Sequence, residues 1–290
     1  MEHPLSATPH RPAEKLIFTP VGCCSISNAE YERNILYRPI LKVTNVRKTF
    51  GGVTALDGVN MEVDKGNMTM LIGPNGSGKT TLINVVSGFY KPDEGQVIFE
   101  DKDITGKHPN EVARQGLVRT FQVPAPFQKL SVMENLLLAS EGNPGESFTK
   151  ALIKSTWIEK ESESHERARK ILDLLSLRLP DQLAGELSGG QLKLLELGRV
   201  LMTNARLVTL DEPASGLNPT LAHQIFEHLD ETKKSFGLTF LIVEHRLDIA
   251  LQYVDYVYAM ANGSVISRGK GEEVMNDPKV IEGYLGGTCP

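Results

Sequence analysis

"MTMLIGPNGSGKTTLINVVSG", Met68 to Gly88, sets an apolar run against a glycine-rich turn and a second apolar segment. The run "MTMLIG" reads as a buried strand ending at Gly73, and "KTTLINVVSG" reads as a helix. Between them Gly73, Pro74, Asn75, Gly76, Ser77, Gly78, Lys79 and Thr80 satisfy G-x-x-x-x-G-K-[ST], in the strand-turn-helix context that the motif requires. Glycines at those positions let backbone N–H groups wrap phosphate oxygens, and the helix N-terminus adds its positive dipole end. Lys79 is placed to reach the β- and γ-phosphates, and the Thr80 hydroxyl to coordinate Mg²⁺, with Thr81 directly behind them. A glycine-rich turn with a surface lysine is the alternative, and it leaves the full match and its context unexplained.

Outward from this turn, strands and helices alternate, which implies a mostly parallel sheet with crossover connections. Upstream, "ILKVTNV" and the segment through Val63 read as short strands. Downstream, "GQVIFE" and "GLVRTF" read as strands. Ser131 and Glu134 stand in capping-box register at the start of a helix in "SVMENLLL". From about Glu141 to Glu186 the chain reads as mostly helical, and the charged run "EKESESHERARK" reads as a solvated helix face. Beyond Ser188 follow a helix, the strand "RLVTL", a helix from about Pro219, the strand "LTFLIV" and a helix after His245.

The strand in "RLVTLDEP" delivers Asp211 and Glu212 at its carboxyl end, where open α/β sheets bind their ligands. Asp211 is placed to hold Mg²⁺ indirectly, and Glu212 to polarise an attacking water. An acidic pair opening a loop is common enough that this motif alone decides nothing. Thr209 interrupts the apolar run and calls for a buried hydrogen-bond partner. In "LSGGQLKLLEL" a helical apolar pattern opens on two glycines, the costliest ordinary residues inside a helix. Ser188 and Gln191 fit a capping box there, with Gly189 and Gly190 filling the first turn.

The chain of 290 residues can bury one large core or two ordinary ones. Its net charge of -5 offers no broad basic footprint, so no nucleic-acid partner is expected. The 3 cysteines, two of them the adjacent Cys23 and Cys24, form no disulfide framework. "PVGCC" is preceded by no continuous apolar stretch, so an export signal is not expected. No window reaches the apolar length of a membrane span. Residues 1–39, rich in proline and polar residues, read as a loose and disordered extension, with one domain over 40–290 and a helical subdomain inserted at about 124–200.

Phosphate loop, Gln122, Leu187-Ser188-Gly189-Gly190-Gln191, Asp211-Glu212 and His245, in that order, resemble the ATP-binding cassette (ABC) ATPase family. The resemblance implies an α/β P-loop NTPase fold of the ABC ATPase type, in which the upstream strands are an N-terminal antiparallel subdomain, with ATP and Mg²⁺ as ligands. It implies that the signature Leu187–Gln191 closes over the ATP of an opposing subunit. The two glycines then let a helix N-terminus approach the γ-phosphate. By the same resemblance Phe50 stacks on adenine, where tyrosine is commoner, and Gln122 senses Mg²⁺ and the attacking water and couples the site to a membrane partner. Ser215, Gly216, Leu217 and Asn218 match the loop that crosses between subunits, with Asn218 where aspartate is commoner, and His245 matches the switch residue on the γ-phosphate.

"ALDGVN", "GLVRTFQ" with "LSVMENLLLA", "EHRLDIAL" and "GKGEEVMNDPKVIEGYLG" further resemble the LivG-type ATP-binding subunits of branched-chain amino-acid importers, over about residues 40 to 286. That likeness implies two membrane permease subunits, a second ATPase subunit of LivF type or a second copy of this chain, and an extracytoplasmic substrate-binding protein. It places the chain at the cytoplasmic face of the membrane. Importers of urea, amides or other amino acids and lipopolysaccharide-export ATPases use similar cassettes. Soluble ABC proteins of translation or DNA repair are the remaining alternative, and the two cassettes or large insertions they generally carry are not visible here.

Overall fold

The computed structural model describes residues 39–120, 125–142 and 157–285. The N-terminal extension up to residue 38 lies outside them. Two sheets organise the described residues. The first, in the order β2-β1-β4-β5, is antiparallel and comprises β1 (Pro39–Phe50), β2 (Val53–Asp64), β4 (Glu94–Phe99) and β5 (Lys102–Asp103). The second runs β10-β9-β3-β8-β7-β6 and comprises β3 (Met68–Ile72), β6 (Leu117–Arg119), β7 (Leu207–Asp211), β8 (Thr239–Val243), β9 (Tyr256–Ala261) and β10 (Ser264–Gly269). Its neighbours pair in parallel except at the β9-β10 edge.

The central strands are buried on both faces, as parallel strands between two layers must be. Leu71, Leu241 and Val243 face a core shared with the antiparallel sheet and with α1 (Lys79–Val86), which contributes Leu82, Ile83 and Val86. Met70, Val208, Phe240 and Ile242 face a second core built with the remaining helices. Among these, α3 (Val132–Leu137), α4 (Ile158–Leu174) and α5 (Gly189–Met202) pack together, and α6 (Pro219–Phe236) crosses over between β7 and β8; α2 (Pro109–Arg114), by contrast, sends Val112 into the first core. The chain ends in α7 (Leu247–Ala250), α8 (Gly271–Met275) and α9 (Pro278–Leu285).

Three local readings come out differently. The short N-terminal strands are two strands of 12 residues each. Their alternation is broken by register shifts around Asn45, whose φ is 48° and whose N–H donates to Asn60 Oδ1 at 3.0 Å. In the expected helical stretch, residues 143–156 lie outside the described residues, and Leu175–Leu183 is not helical. The carbonyls of Pro180 and Gln182 instead accept the N–H groups of Met133 and Val132, both at 2.9 Å, donors that the first turn of α3 leaves open. Thr209 is fully buried in β7, yet its Oγ1 finds no hydrogen-bond partner among the described residues. It lies between Arg119 on β6 and Leu241 on β8, filling a valine-like position. The helix expected after His245 is present, as a single turn.

The charged run does form a largely exposed helix, α4, with one further use. Arg167 donates through Nη2 to the carbonyls of Leu201 at 2.7 Å and Thr203 at 2.9 Å, satisfying the last turn of α5.

Candidate functional site

The carboxyl ends of β3, β7 and β8 meet at one edge of the parallel sheet, and each delivers polar residues there. β3 ends at Ile72, and Gly73 directly after it has φ 151°. A Cβ on Gly73 would lie 2.2 Å from the Met260 carbonyl oxygen, and one on Gly78 2.5 Å from that of Ala55. These glycines are therefore required by the close passage of the loop over the antiparallel subdomain and β9. Gly78 is also the N-cap of α1, with φ 103°, so the N–H groups of the first turn are left for another acceptor. Ser77 Oγ is buried without a partner among the described residues, and Thr80 is exposed at the mouth of the loop.

Lys79 is buried at the first position of α1. Its ammonium donates to the carbonyls of Gly73 at 2.8 Å and Pro74 at 2.9 Å. Burial holds its pKa below the ordinary lysine value, and the carboxylates of Glu212 and Asp211 partly offset that shift. The phosphate-loop lysine and the two acidic residues are thus brought into one electrostatic neighbourhood.

Asp211 closes β7. Its Oδ2 lies 3.3 Å from Arg119 Nη2 in a pair with both side chains largely buried. Arg119 also donates through Nη1 to Asn84 of α1, and its guanidinium sits 5.4 Å from the Phe89 ring centroid. Glu212 stands just beyond the strand at φ 51°. A non-glycine residue held in that region costs on the order of 1–3 kcal/mol. Its N–H donates to the Val243 carbonyl at 2.8 Å, and its Oε1 lies 3.2 Å from Nε2 of the half-exposed His245. Glu244 between them is buried; it accepts from the N–H groups of Ala214 at 2.8 Å, His245 at 2.7 Å and Arg246 at 3.3 Å.

The signature opens α5. Leu187 is buried, Ser188 Oγ accepts from Gln191 N–H at 3.4 Å, and Gln191 Oε1 accepts from Ser188 N–H at 2.9 Å. The capping box is therefore present, but it does not explain the glycines. Among the described residues a Cβ on Gly189 would meet nothing within 4 Å, and one on Gly190 would only touch Leu221 at 3.5 Å. Neither glycine is demanded by packing against the described residues.

Ser215–Asn218 forms the loop between β7 and α6, where Gly216 has φ 73° and Asn218 Oδ1 accepts from Leu221 N–H at 2.9 Å. Asparagine caps a helix as well as aspartate does, so the residue found here has a local use that needs no charge. Phe50 is 41% exposed, so it is not a core residue. Tyr90 meets it edge-on at 5.2 Å, and Lys48 Nζ stands 5.4 Å from its ring centroid. Gln122 lies outside the described residues. The sequence motifs do not single out Arg119, Lys193, Glu244 or Tyr90. For the first three the available signal was a charge inside an otherwise apolar strand or helix stripe.

Among the described residues no group of three or more His, Cys, Asp or Glu is placed to hold a metal ion. Thr80 at the mouth of the loop and Asp211 at the end of β7 are the oxygen-bearing side chains that could serve a divalent ion carried by phosphate oxygens.

Sheet order, phosphate loop and acidic strand end define a phosphate-loop nucleoside triphosphatase. The chain belongs to the ABC transporter family, whose sequence profile matches residues 56–215. It is 55% identical to the probable branched-chain amino acid transport ATP-binding protein LivG of Methanocaldococcus jannaschii, over 85% of this chain and 97% of that one. The high-affinity branched-chain amino acid transport ATP-binding protein LivG of Escherichia coli is 34% identical, over 86% and 98%. A crystal structure of the ADP conformation of an ATP-binding cassette of an ABC transporter superposes with a TM-score of 0.74, at 51% identity, covering 86% of this chain and 99% of that chain. This chain is accordingly a nucleotide-binding ABC ATPase. No described helix is long and apolar enough to cross a membrane.

Proposed function

We propose that this chain is the ATP-hydrolysing subunit of an importer of branched-chain amino acids, with residues 40–290 as the cassette and about 124–200 as its helical subdomain. The observation that carries the hydrolytic reading is the convergence of Lys79, Asp211, Glu212 and His245 at one sheet edge. The LivG names of the relatives support the transported solute.

Lys79 exchanges the Gly73 and Pro74 carbonyls for β- and γ-phosphate oxygens, with the amides of Gly76 to Thr81 around them. Thr80, Gln122 and Asp211 would hold Mg²⁺, which would neutralise phosphate charge when bound. Glu212 orients the attacking water and takes its proton. His245, already in contact with Glu212, turns to the γ-phosphate, and Phe50 carries the adenine on its free face, braced by Tyr90. Ser188, Gly189 and Gly190 donate to the γ-phosphate held by a second cassette; the unfilled space at Gly189 supports an approach from outside the chain. Two permease subunits, engaged near Gln122, and an extracytoplasmic binding protein complete the system, with this chain on the cytoplasmic face. The amino acid itself never touches it.

Affinity capture of Glu212→Gln with MgATP from detergent-solubilised native membranes tests this reading. Permeases and a second cassette subunit are the expected companions. Recovery of ribosomal or DNA-repair proteins in their place overturns the transport assignment and leaves the nucleotide chemistry intact.

A further inference from the structure

Glu212 precedes Pro213, and a residue before proline is driven towards extended backbone. Its φ of 51° is therefore disfavoured twice, by its side chain and by its successor, and persists only if the surroundings impose it. The hydrogen bonds show what imposes it. Lys193, in the second turn of α5, donates from Nζ to the carbonyls of Pro213 and Ser215, both at 2.7 Å, and reaches that of Glu212 at 3.5 Å. An ammonium has three donors, and all three of these point into one loop. On the opposite side, Glu244 accepts the Ala214 N–H at 2.8 Å, and Arg246 donates from Nη1 to the Leu217 carbonyl at 3.1 Å. The loop from Glu212 to Leu217 is gripped between the end of β8 and α5, and Lys193 supplies the grip from α5. Burial lowers the lysine's pKa, against the carboxylates of Glu244, Glu196 and Glu212. A cavity of about 40 Å³ lies beside this contact, bounded among others by Lys193, Glu196, Asp211 and Glu212.

We propose that Lys193 is a positioning residue for hydrolysis: it holds Glu212 in its left-handed conformation and, carried by the helix that Ser188 begins, relays movement of the signature to the Glu212 carboxylate. This rests on the reading of Glu212 as the residue that orients water and of the signature as acting on a second subunit's nucleotide. Lys193 makes none of its hydrogen bonds with the phosphate loop, so nucleotide capture and hydrolysis respond differently to its loss.

Lys193→Met, Lys193→Gln and Lys193→Arg, each compared with the parent for ATP affinity and kcat, provide the test. Lys193→Met is expected to bind ATP within about two-fold of the parent while kcat falls about ten-fold or more, with Lys193→Arg recovering most of the loss. Lys193→Gln, which keeps two amide donors, falls between them and serves if the methionine variant fails to fold. Parental kcat in the methionine or glutamine variant overturns the proposal. So does an equal loss of ATP affinity and kcat, which marks a lysine that only holds the fold, or an arginine variant no better than methionine. Glu212→Gln in the same assay keeps the two ideas apart. Hydrolysis lost there, with Lys193→Met at the parental rate, overturns this inference alone; hydrolysis retained there overturns the role of Glu212 and this inference with it.

Discussion

At the scale of single residues the site divides into groups that capture a nucleotide and groups that act on it, and two substitutions separate them. Glu212→Gln keeps shape and volume but removes the proton acceptor, so hydrolysis should fall by about 10²–10⁴-fold. The phosphate loop is untouched, and equilibrium ATP binding should stay at the parental level; steady-state hydrolysis at the parental rate would falsify the assignment of Glu212. Lys79→Ala removes a charged donor worth about 1.5–3 kcal/mol, so the Kd for ATP should rise about ten- to a hundred-fold, measured by titration calorimetry. Unchanged affinity there would mean that Lys79 serves only the Gly73 and Pro74 carbonyls. Lys79 stands in a motif that fixes residue type, spacing and context together, whereas the acidic pair that includes Glu212 points to a site only in the company of the other motifs. Arg119 and Lys193 were not legible: each is a charge in an apolar pattern, and its partners, Asp211 for one and the Glu212 loop for the other, are distant in sequence. Thr209 shows the converse failure, since its polarity suggested a bond that its buried position in β7 does not supply.

The elements carry two further tests. Gly189 sits in the first turn of α5 where a side chain would meet nothing, so Gly189→Ala should raise the stability of the isolated chain by up to about 1 kcal/mol. The same methyl group blocks close approach of the helix to phosphate, so hydrolysis should fall while thermal stability rises. A variant both more stable and fully active would show that the glycine has no use outside its own chain. The second test concerns how β1 is tied to the loop before β4. Asp93 accepts from Lys48 Nζ at 2.8 Å, from Thr49 N–H at 2.7 Å and from Thr49 Oγ1 at 2.8 Å. These bonds, the Lys48 one first, lower its pKa from 3.8 to about 2. A carboxylate with a depressed folded pKa contributes its stability above 3.8 and loses it as pH falls towards about 2. Asp93→Asn should therefore unfold more readily than the parent near neutral pH, and the gap should narrow across that acid window, as followed by circular dichroism. A gap independent of pH would assign the effect to packing. Elements with strong end signals were the readable ones, such as α6 between Asn218 and Gly237. The bulged length of β1 and the non-helical Leu175–Leu183 were not, because both depend on partners supplied by other segments: Asn60 for the bulge, and for the second the first turn of α3.

For the whole molecule the decisive quantity is the difference in nucleotide affinity between a single cassette and a closed pair. A ligand that binds both equally shifts nothing, whereas moving an equilibrium from about 1:99 to 99:1 requires about 10⁴-fold preference for one state. On the proposed reading that preference comes from the signature, because Ser188, Gly189 and Gly190 contribute contacts only when a second subunit presents its γ-phosphate. Glu212→Gln with MgATP should therefore run at twice the monomer mass by size-exclusion chromatography with light scattering, and as a monomer with ADP. If a LivF-type partner is obligatory, the same shift should appear only on mixing the two chains. Adding Gly189→Ala to Glu212→Gln supplies the sharper comparison. It leaves the phosphate loop intact and removes the close approach, so the pair should dissociate while each chain still holds ATP. A dimer that forms equally with ADP, or that survives Gly189→Ala unchanged, would place the contact elsewhere on the surface and leave the two glycines of α5 without an explanation.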